Sequence, residues 1–245
     1  MKLICLNVWG GNLKEDLCAF VAKHADDTDI FCFQEVTNKT TSNREVLGKI
    51  DRDIYDAIVK LLPGHEGFFA TEQTGEEGNA IFIKSSIGVY KVCDVFVYRY
   101  LDAMIDDDSS TLGRNIQAVF FSIDNQRYTI INFHGLWDCR GKIDTVDRLD
   151  QSQKIKDFID NKAEGKIILV GDFNLNPDAK SLSIFEDKMR NLIKDYDVSS
   201  TRSCLYKKPE KFADYVIVSK DVDVVRFEVL QDVVSDHLPL LLEFK

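Results

Sequence analysis

Apolar residues fall in short runs along the whole chain, some continuous, some alternating and some at helical spacing. Leu3–Val8 has the continuous character of a buried strand and is broken by Gly10-Gly11. Leu13, Leu17, Phe20 and Val21 then repeat along one helix face. Asp29–Phe33 predicts a second buried strand, ending at Gln34-Glu35. Ser42-Asn43 predicts a helix cap, and Val46, Leu47, Ile50, Ile54, Ile58, Leu61 and Leu62 predict the helix it opens, which Pro63-Gly64 stops. Strands follow at Phe68–Thr71 and Ala80–Lys84 around a Gly-rich connection from Gly75 to Gly78. Two more, Val89–Tyr98 and Asn115–Ile123, flank the acidic loop Asp102–Ser110. Asp124-Asn125 predicts a turn into a hairpin partner at Tyr128–Phe133. Asp147–Lys162, with Leu149, Ile155, Phe158 and Ile159, predicts an amphipathic helix. Lys166–Gly171 predicts a strand, Ala179–Lys188 a helix, and Asp214–Ser219, Val224–Leu230 and Leu240–Phe244 the closing strands.

So many strands rarely fit one sheet, and helices are interspersed among them. The expectation is one α/β domain over residues 1–245, built on more than one sheet. No internal repeat of about 20–50 residues, low-complexity tract or Pro/Ser linker divides the chain. Hydrophobic residues make up 44% of the 245, enough for a sizeable core.

Charge narrows the partners. The net charge is −10 and the pI near 4.9. Proteins that grip long nucleic acid usually carry a basic face, and none is evident. Lys207, Lys208 and Lys211 form a local patch that reads most simply as a solvated loop. Acidity does not exclude a phosphate substrate, because bound cations reverse the local field. A small phosphate ester, a lipid headgroup or a short stretch of nucleic acid fits best. The six cysteines contain no C-x-x-C pair, and Cys5, Cys32 and Cys93 lie in apolar strand runs, so structural zinc and disulfides are not expected. The chain enters a strand pattern at once, without a leader-like segment, and no stretch is long and apolar enough to span a membrane. A reduced, cytoplasmic setting is expected.

Candidate chemistry gathers at predicted strand ends: Asn7, Glu35, His134, Asp172 with Asn174, Asp214, and Asp236-His237. In Gly171-Asp172-Phe173-Asn174, the two polar side chains fall on one side of an extended segment and Phe173 on the other. A carboxylate beside a carboxamide can hold and orient one water; an Asx turn is the bland reading. Glu35 follows Ile30-Phe31-Cys32-Phe33, where a carboxylate is costly unless paired or metal-bound, and magnesium suits such an oxygen ligand. Asn7 can bond Glu35, reach the metal or simply make a turn. Ser235-Asp236-His237 is poor triad material, because neighbours in extended chain face opposite ways. His237 therefore takes its carboxylate from elsewhere, with Asp214 the choice, and Asp236 is either a second metal ligand or a structural acceptor. His134 is structural, a phosphate ligand or a general acid, and Asn132 shares its strand face. Arg114 pairs with phosphate or with a surface carboxylate. Asn79 is a weaker candidate of the same kind.

Five short motifs stand in order: Leu6-Asn7-Val8-Trp9, Gln34-Glu35, Gly171-Asp172-Phe173-Asn174, Asp214-Tyr215-Val216 and Ser235-Asp236-His237. Together they resemble the endonuclease/exonuclease/phosphatase superfamily, which includes DNase I-like nucleases, abasic-site endonucleases, neutral sphingomyelinases and inositol polyphosphate 5-phosphatases. The resemblance implies a four-layer α/β sandwich, two packed mixed β-sheets flanked by helices. It also implies magnesium or manganese at Glu35, assisted by Asn7 and Asp236. By the same resemblance Asp172 readies a water, Asn174 orients it, and His237, backed by Asp214, steadies the phosphate. His134 matches a histidine of the DNase I and sphingomyelinase branches. Two departures argue against abasic-site repair: Trp9 stands where those enzymes have an Asp, and His134 where they have a Tyr. The implied activity is metal-dependent hydrolysis of a phosphodiester or phosphomonoester by water, with a nuclease or nucleotide phosphodiesterase first. A phospholipid, sphingomyelin or inositol-phosphate hydrolase is second. A binding protein that has lost catalysis would be expected to lack a central group, and none is missing. Oligomeric state is not legible.

Overall fold

A computed structural model describes residues 1–39, 53–72, 77–101, 112–138 and 140–245. Its strands in chain order are β1 (Lys2–Asn7), β2 (Ile30–Thr37), β3 (His65–Thr71), β4 (Glu77–Lys84), β5 (Val89–Tyr98), β6 (Arg114–Ile123), β7 (Gln126–His134), β8 (Lys166–Asp172), β9 (Met189–Asn191), β10 (Asp214–Ser219), β11 (Val224–Val229) and β12 (Leu240–Phe244). The helices are α1 (Lys14–His24), α2 (Ile54–Leu61), α3 (Val146–Lys162), α4 (Lys180–Ser183) and α5 (Leu192–Asp195).

The strands form two six-stranded mixed sheets, ordered β11-β12-β1-β2-β4-β3 and β5-β6-β7-β8-β10-β9. Each sheet has one parallel pair at its centre, β1 with β2 and β7 with β8. A helix links each pair, α1 in the first and α3 in the second. Both faces of these central strands are covered, which is why they read as nearly unbroken apolar runs. Leu3 and Cys5 point into the core between the sheets, whereas Ile4, Leu6 and Val8 pack outward with Leu17, Phe20 and Val21 of α1 and Ile54 and Ile58 of α2. Ile155, Phe158 and Ile159 of α3 close the other side. The expected four-layer sandwich is the observed one. No helix among the described residues is long and apolar enough to cross a membrane.

Local chemistry sets the boundaries. Thr145 caps α3 through Arg148 N–H at 3.2 Å, and Asp53 caps α2 through Asp56 N–H at 3.3 Å. The Ser42-Asn43 cap, Val46, Leu47, Ile50, Gly75, the loop Asp102–Ser110 and Cys139 lie outside the described residues. The helix expected over Ala179–Lys188 is a single turn, α4, followed by turns and β9. Leu182, Phe185 and Met189 are all buried at helical spacing, yet Met189 pairs with Ser219 on β10, and that pairing wins. Glu35 does not end its strand. β2 runs on to Thr37 across a bulge, the register with β4 slipping between Phe33 and Val36.

Candidate functional site

The carboxyl ends of the two parallel pairs meet at one edge of the sandwich, the usual place for a site in α/β folds. Asn7 ends β1, Glu35 sits in the bulge of β2, His134 ends β7 and Asp172 ends β8. The bulge gives Glu35 a φ of 55°, a left-handed backbone that costs energy in a non-glycine residue and re-aims its side chain. Asn7 Nδ2 donates to Glu35 Oε1 within its own sheet at 2.9 Å and to Asp172 Oδ2 across to the other sheet at 3.1 Å. In the second sheet His134 and Asp214 flank Asp172 on adjacent strands. Close approach at this point requires Gly171: with φ 143°, an added Cβ would lie 1.8 Å from the Phe133 carbonyl oxygen.

Two imidazoles enter the cleft from opposite sides. His237 Nδ1 donates to both carboxylate oxygens of Asp214 at 2.8 Å, and its Nε2 lies 3.6 Å from Asp172 Oδ2. His134 turns Nε2 to Glu35 Oε1 at 3.7 Å and Nδ1 to Glu72 Oε2 at 3.8 Å. Each ring thus has a buried carboxylate behind it and a cleft carboxylate in front. Burial, followed by the Arg114 charge, lowers the His134 pKa well below the usual histidine value. Burial works the same way on His237, but Asp214 and Asp172 outweigh it and raise its pKa. Burial would raise the Asp172 carboxyl too; Lys142 and the two histidines instead hold it well below the carboxylate range. Glu35 is the most open of the set, with 26% of its side chain exposed. Partial desolvation and the charge of Glu77 push its carboxyl above the usual range.

The Gly171–Asn174 segment takes the Asx-turn form rather than an extended one. Asn174 N–H donates to Asp172 Oδ1 at 2.8 Å, an Asx turn, and Asn174 has a φ of 54°. Its carboxamide does not open freely to the cleft: Oδ1 accepts from Lys142 Nζ at 2.9 Å and Nδ2 donates to the Gly135 carbonyl at 3.2 Å. Phe173 points into the core against Phe133, Phe185 and Tyr215.

Three expected substrate contacts sit elsewhere. Arg114 is buried and ion-paired with Glu72, neither a surface bridge nor open to a ligand. Asn79 is buried and donates to Asn115 Oδ1 at 3.0 Å. Asn132 lies on the seam between sheets. It donates to the Phe33 and Ala80 carbonyls at 2.9 and 3.2 Å and accepts from Gln34 Nε2 at 2.6 Å. Those partners surround the β2 bulge, so Asn132 holds the distortion that aims Glu35. Asp236 reaches the cleft but is paired with Arg202 Nη1 at 3.2 Å. Among the described residues it joins neither cluster with metal-ligand spacing, which are Glu35 with His134 and Asp172, and Asp172 with Asp214 and His237.

The sequence reading missed Glu72, Lys142 and Arg202. Glu72 follows the apolar run Phe68–Ala70 as Glu35 follows Ile30–Phe33, so the same argument would have found it. Burial pushes its carboxyl up to about 7 despite Arg114. Lys142 lies in a polar loop with no pattern to mark it, and burial draws its ammonium down to about 8. Arg202 donates to His237 Nε2 and reaches it only because residues 201–203 pair with 236–238.

A family model described as endonuclease/exonuclease/phosphatase matches residues 4–237. No curated protein matches the sequence significantly. Among solved structures, a protein of that family from Bacteroides thetaiotaomicron superposes with a TM-score of 0.77 at 18% identity, over 100% of this chain and 97% of that one. A mannosyl-6-phosphatase from the same species gives 0.74 at 19%, over 100% and 99%. The human Nocturnin catalytic domain gives 0.72 at 17%, over 100% and 93%. At these identities the likeness speaks for the fold.

Proposed function

The chain belongs to the endonuclease/exonuclease/phosphatase family, whose members hydrolyse phosphoester bonds, and on that premise we propose a divalent-metal-dependent hydrolase acting on a small phosphate ester. The observation that carries this reading is the meeting of Glu35, Asp172 and His237 from both sheets in one cleft.

The donor set suits a hard cation. Glu35 is open to the cleft, its carboxyl is raised by burial and by nearby negative charge, and the Asn7 carboxamide adjoins it. Magnesium or manganese would be held at Glu35; Asn7 would join only by turning its carboxamide oxygen from the Trp9 N–H, and Asp236 only by leaving Arg202. When bound, such an ion neutralises phosphate charge and polarises a phosphoryl oxygen.

The remaining work falls to side chains. Asp172, ionised among cations and fixed by Asn174 N–H, accepts the proton of the attacking water. Asn174 acts by holding Lys142, whose ammonium faces the same carboxylate and stabilises charge on the phosphate. His237 is held by Asp214 with Nδ1 as donor, and Nε2, which Arg202 meets in this structure, turns to a phosphoryl or leaving oxygen once Arg202 pairs with the phosphate. His134 presents Nε2 from the opposite wall. A nuclease or nucleotide phosphodiesterase remains the preferred substrate class, working as one domain. A cytoplasmic setting accords with the free cysteines Cys5, Cys18, Cys32, Cys93 and Cys204.

The test is a panel of phosphate esters with magnesium. Wild-type protein should hydrolyse at least one, EDTA should stop it, and Asp172→Ala or His237→Ala should lower kcat by about 10²–10⁴-fold. Rates indifferent to EDTA remove the metal from the scheme, and near-normal rates in either variant remove that residue.

A further inference from the structure

On the side of Lys142 away from Asn174 lies a cavity of about 170 Å³, walled by Trp137, Gly141, Lys142, Tyr206, Lys208 and Glu210. Whole ligands of moderate size fill roughly 300–1,000 Å³, so this space takes one part of a substrate, about a single ring.

The cavity is built rather than incidental. Arg148, almost wholly buried, donates to the carbonyls of Leu136 at 3.2 Å and of Gly141 and Ile143 at 2.6 Å. Those three bonds hold Leu136, Gly141 and Ile143 from inside. Asp138, also on the lining, is held by Arg140 at 2.9 Å. Gly141 takes a φ of 82°, and the space beside it is open: an added Cβ would meet only Glu210 Oε1, at 4.0 Å. Lys142 stands on the wall shared with the hydrolytic centre, bonded to Asn174 on the far side.

The wall chemistry is specific. Trp137 leaves 39% of its surface exposed beside this polar space, with the Lys208 ammonium 5.4 Å from its ring centre. Arg202 stacks on Tyr206 at 4.0 Å and fixes that ring, whose hydroxyl donates to Glu210 Oε2 at 3.4 Å. One aromatic face, two ammonium donors and a carboxylate acceptor suit a ring with an apolar face and hydrogen-bonding edge.

We propose that this cavity is the subsite for a polar ring carried by the scissile phosphate, a nucleobase or a sugar, packed on Trp137 and read at its edge by Glu210 and Lys208. The inference rests on the hydrolytic reading, because it joins the ring to the phosphate cleaved beyond Lys142.

The experiment compares wild type with Trp137→Ala, in magnesium, on glycerol 2-phosphate, glucose 6-phosphate, adenosine 5′-phosphate and a diadenosine dinucleotide. Trp137 is half-exposed, so its removal leaves the core intact. The variant should lose about tenfold in kcat/KM on ring-bearing esters, chiefly through KM, and nothing on glycerol 2-phosphate. A loss confined to the adenosine compounds assigns the base; one shared with glucose 6-phosphate assigns the sugar. Binding is read separately by tryptophan fluorescence of Asp172→Asn protein, with the Asp172→Asn, Trp137→Phe double variant as the reference. Ring-dependent quenching without hydrolysis of any ester would sink the phosphoesterase reading, and the scissile phosphate with it, while the ring-binding role of the cavity stands. Hydrolysis with equal losses across the panel, with no loss at all, or with quenching indifferent to the ring would overturn the subsite.

Discussion

At the scale of single residues, the site depends on what stands behind each reactive group. Asp214 holds His237 in one tautomer through two 2.8 Å bonds. Asp214→Asn keeps the shape but replaces an acceptor-only group with one that can offer N–H to Nδ1, so Nε2 no longer faces the cleft in the needed state. Steady-state kinetics should show kcat lower by about 10²–10⁴-fold with KM little changed. A kcat within about twofold of wild type would mean that the imidazole does not act through Nε2. Asn7, Glu35, Asp172 and His237 stood out in the sequence because costly polar groups beside apolar runs need a reason to be there, and their convergence in space is what the structure adds. Arg114 and Asn132 were misread for the same reason. A buried polar side chain at a strand end can serve the fold as well as a ligand, and one sequence does not separate the two.

At the scale of elements, the bulge in β2 matters most. It diverts Glu35 from the β4 ladder, and Asn132 satisfies the Phe33 and Ala80 carbonyls beside it. Asn132→Ala strands those carbonyls in the interior, at a cost of about 2 kcal/mol. Thermal denaturation should show Tm lower by about 4–8 °C for a chain of this length. The magnesium concentration needed for half-maximal protection should rise with it, since Glu35 would no longer be held toward the cleft. An unchanged magnesium requirement would confine Asn132 to stability alone. The sequence announced the strand but not the bulge. Ile30–Phe33 and Val36–Thr37 are both strand-like, and the slip between them is fixed by a partner almost a hundred positions away. The same limit explains the short α4, where a strand pairing overrode a helical spacing.

For the whole molecule, the organising feature is that each sheet brings one parallel pair to a shared edge: Asn7 at the end of β1 and Glu35 in the β2 bulge from the first, His134 and Asp172 at strand ends from the second. The layered fold was legible because every central strand is apolar on both faces. The placement of Lys142 and Arg202 was not, since loops with no periodicity carry both into the cleft. The central claim is a divalent ion at the seam of the two sheets. Anomalous diffraction from a crystal soaked in manganese measures this directly. A peak is expected within about 2.3 Å of a Glu35 carboxylate oxygen, facing Asn7 and Asp172, and is expected to be lost in Glu35→Gln crystals. Full occupancy by manganese elsewhere on the surface, with none at Glu35, would contradict it.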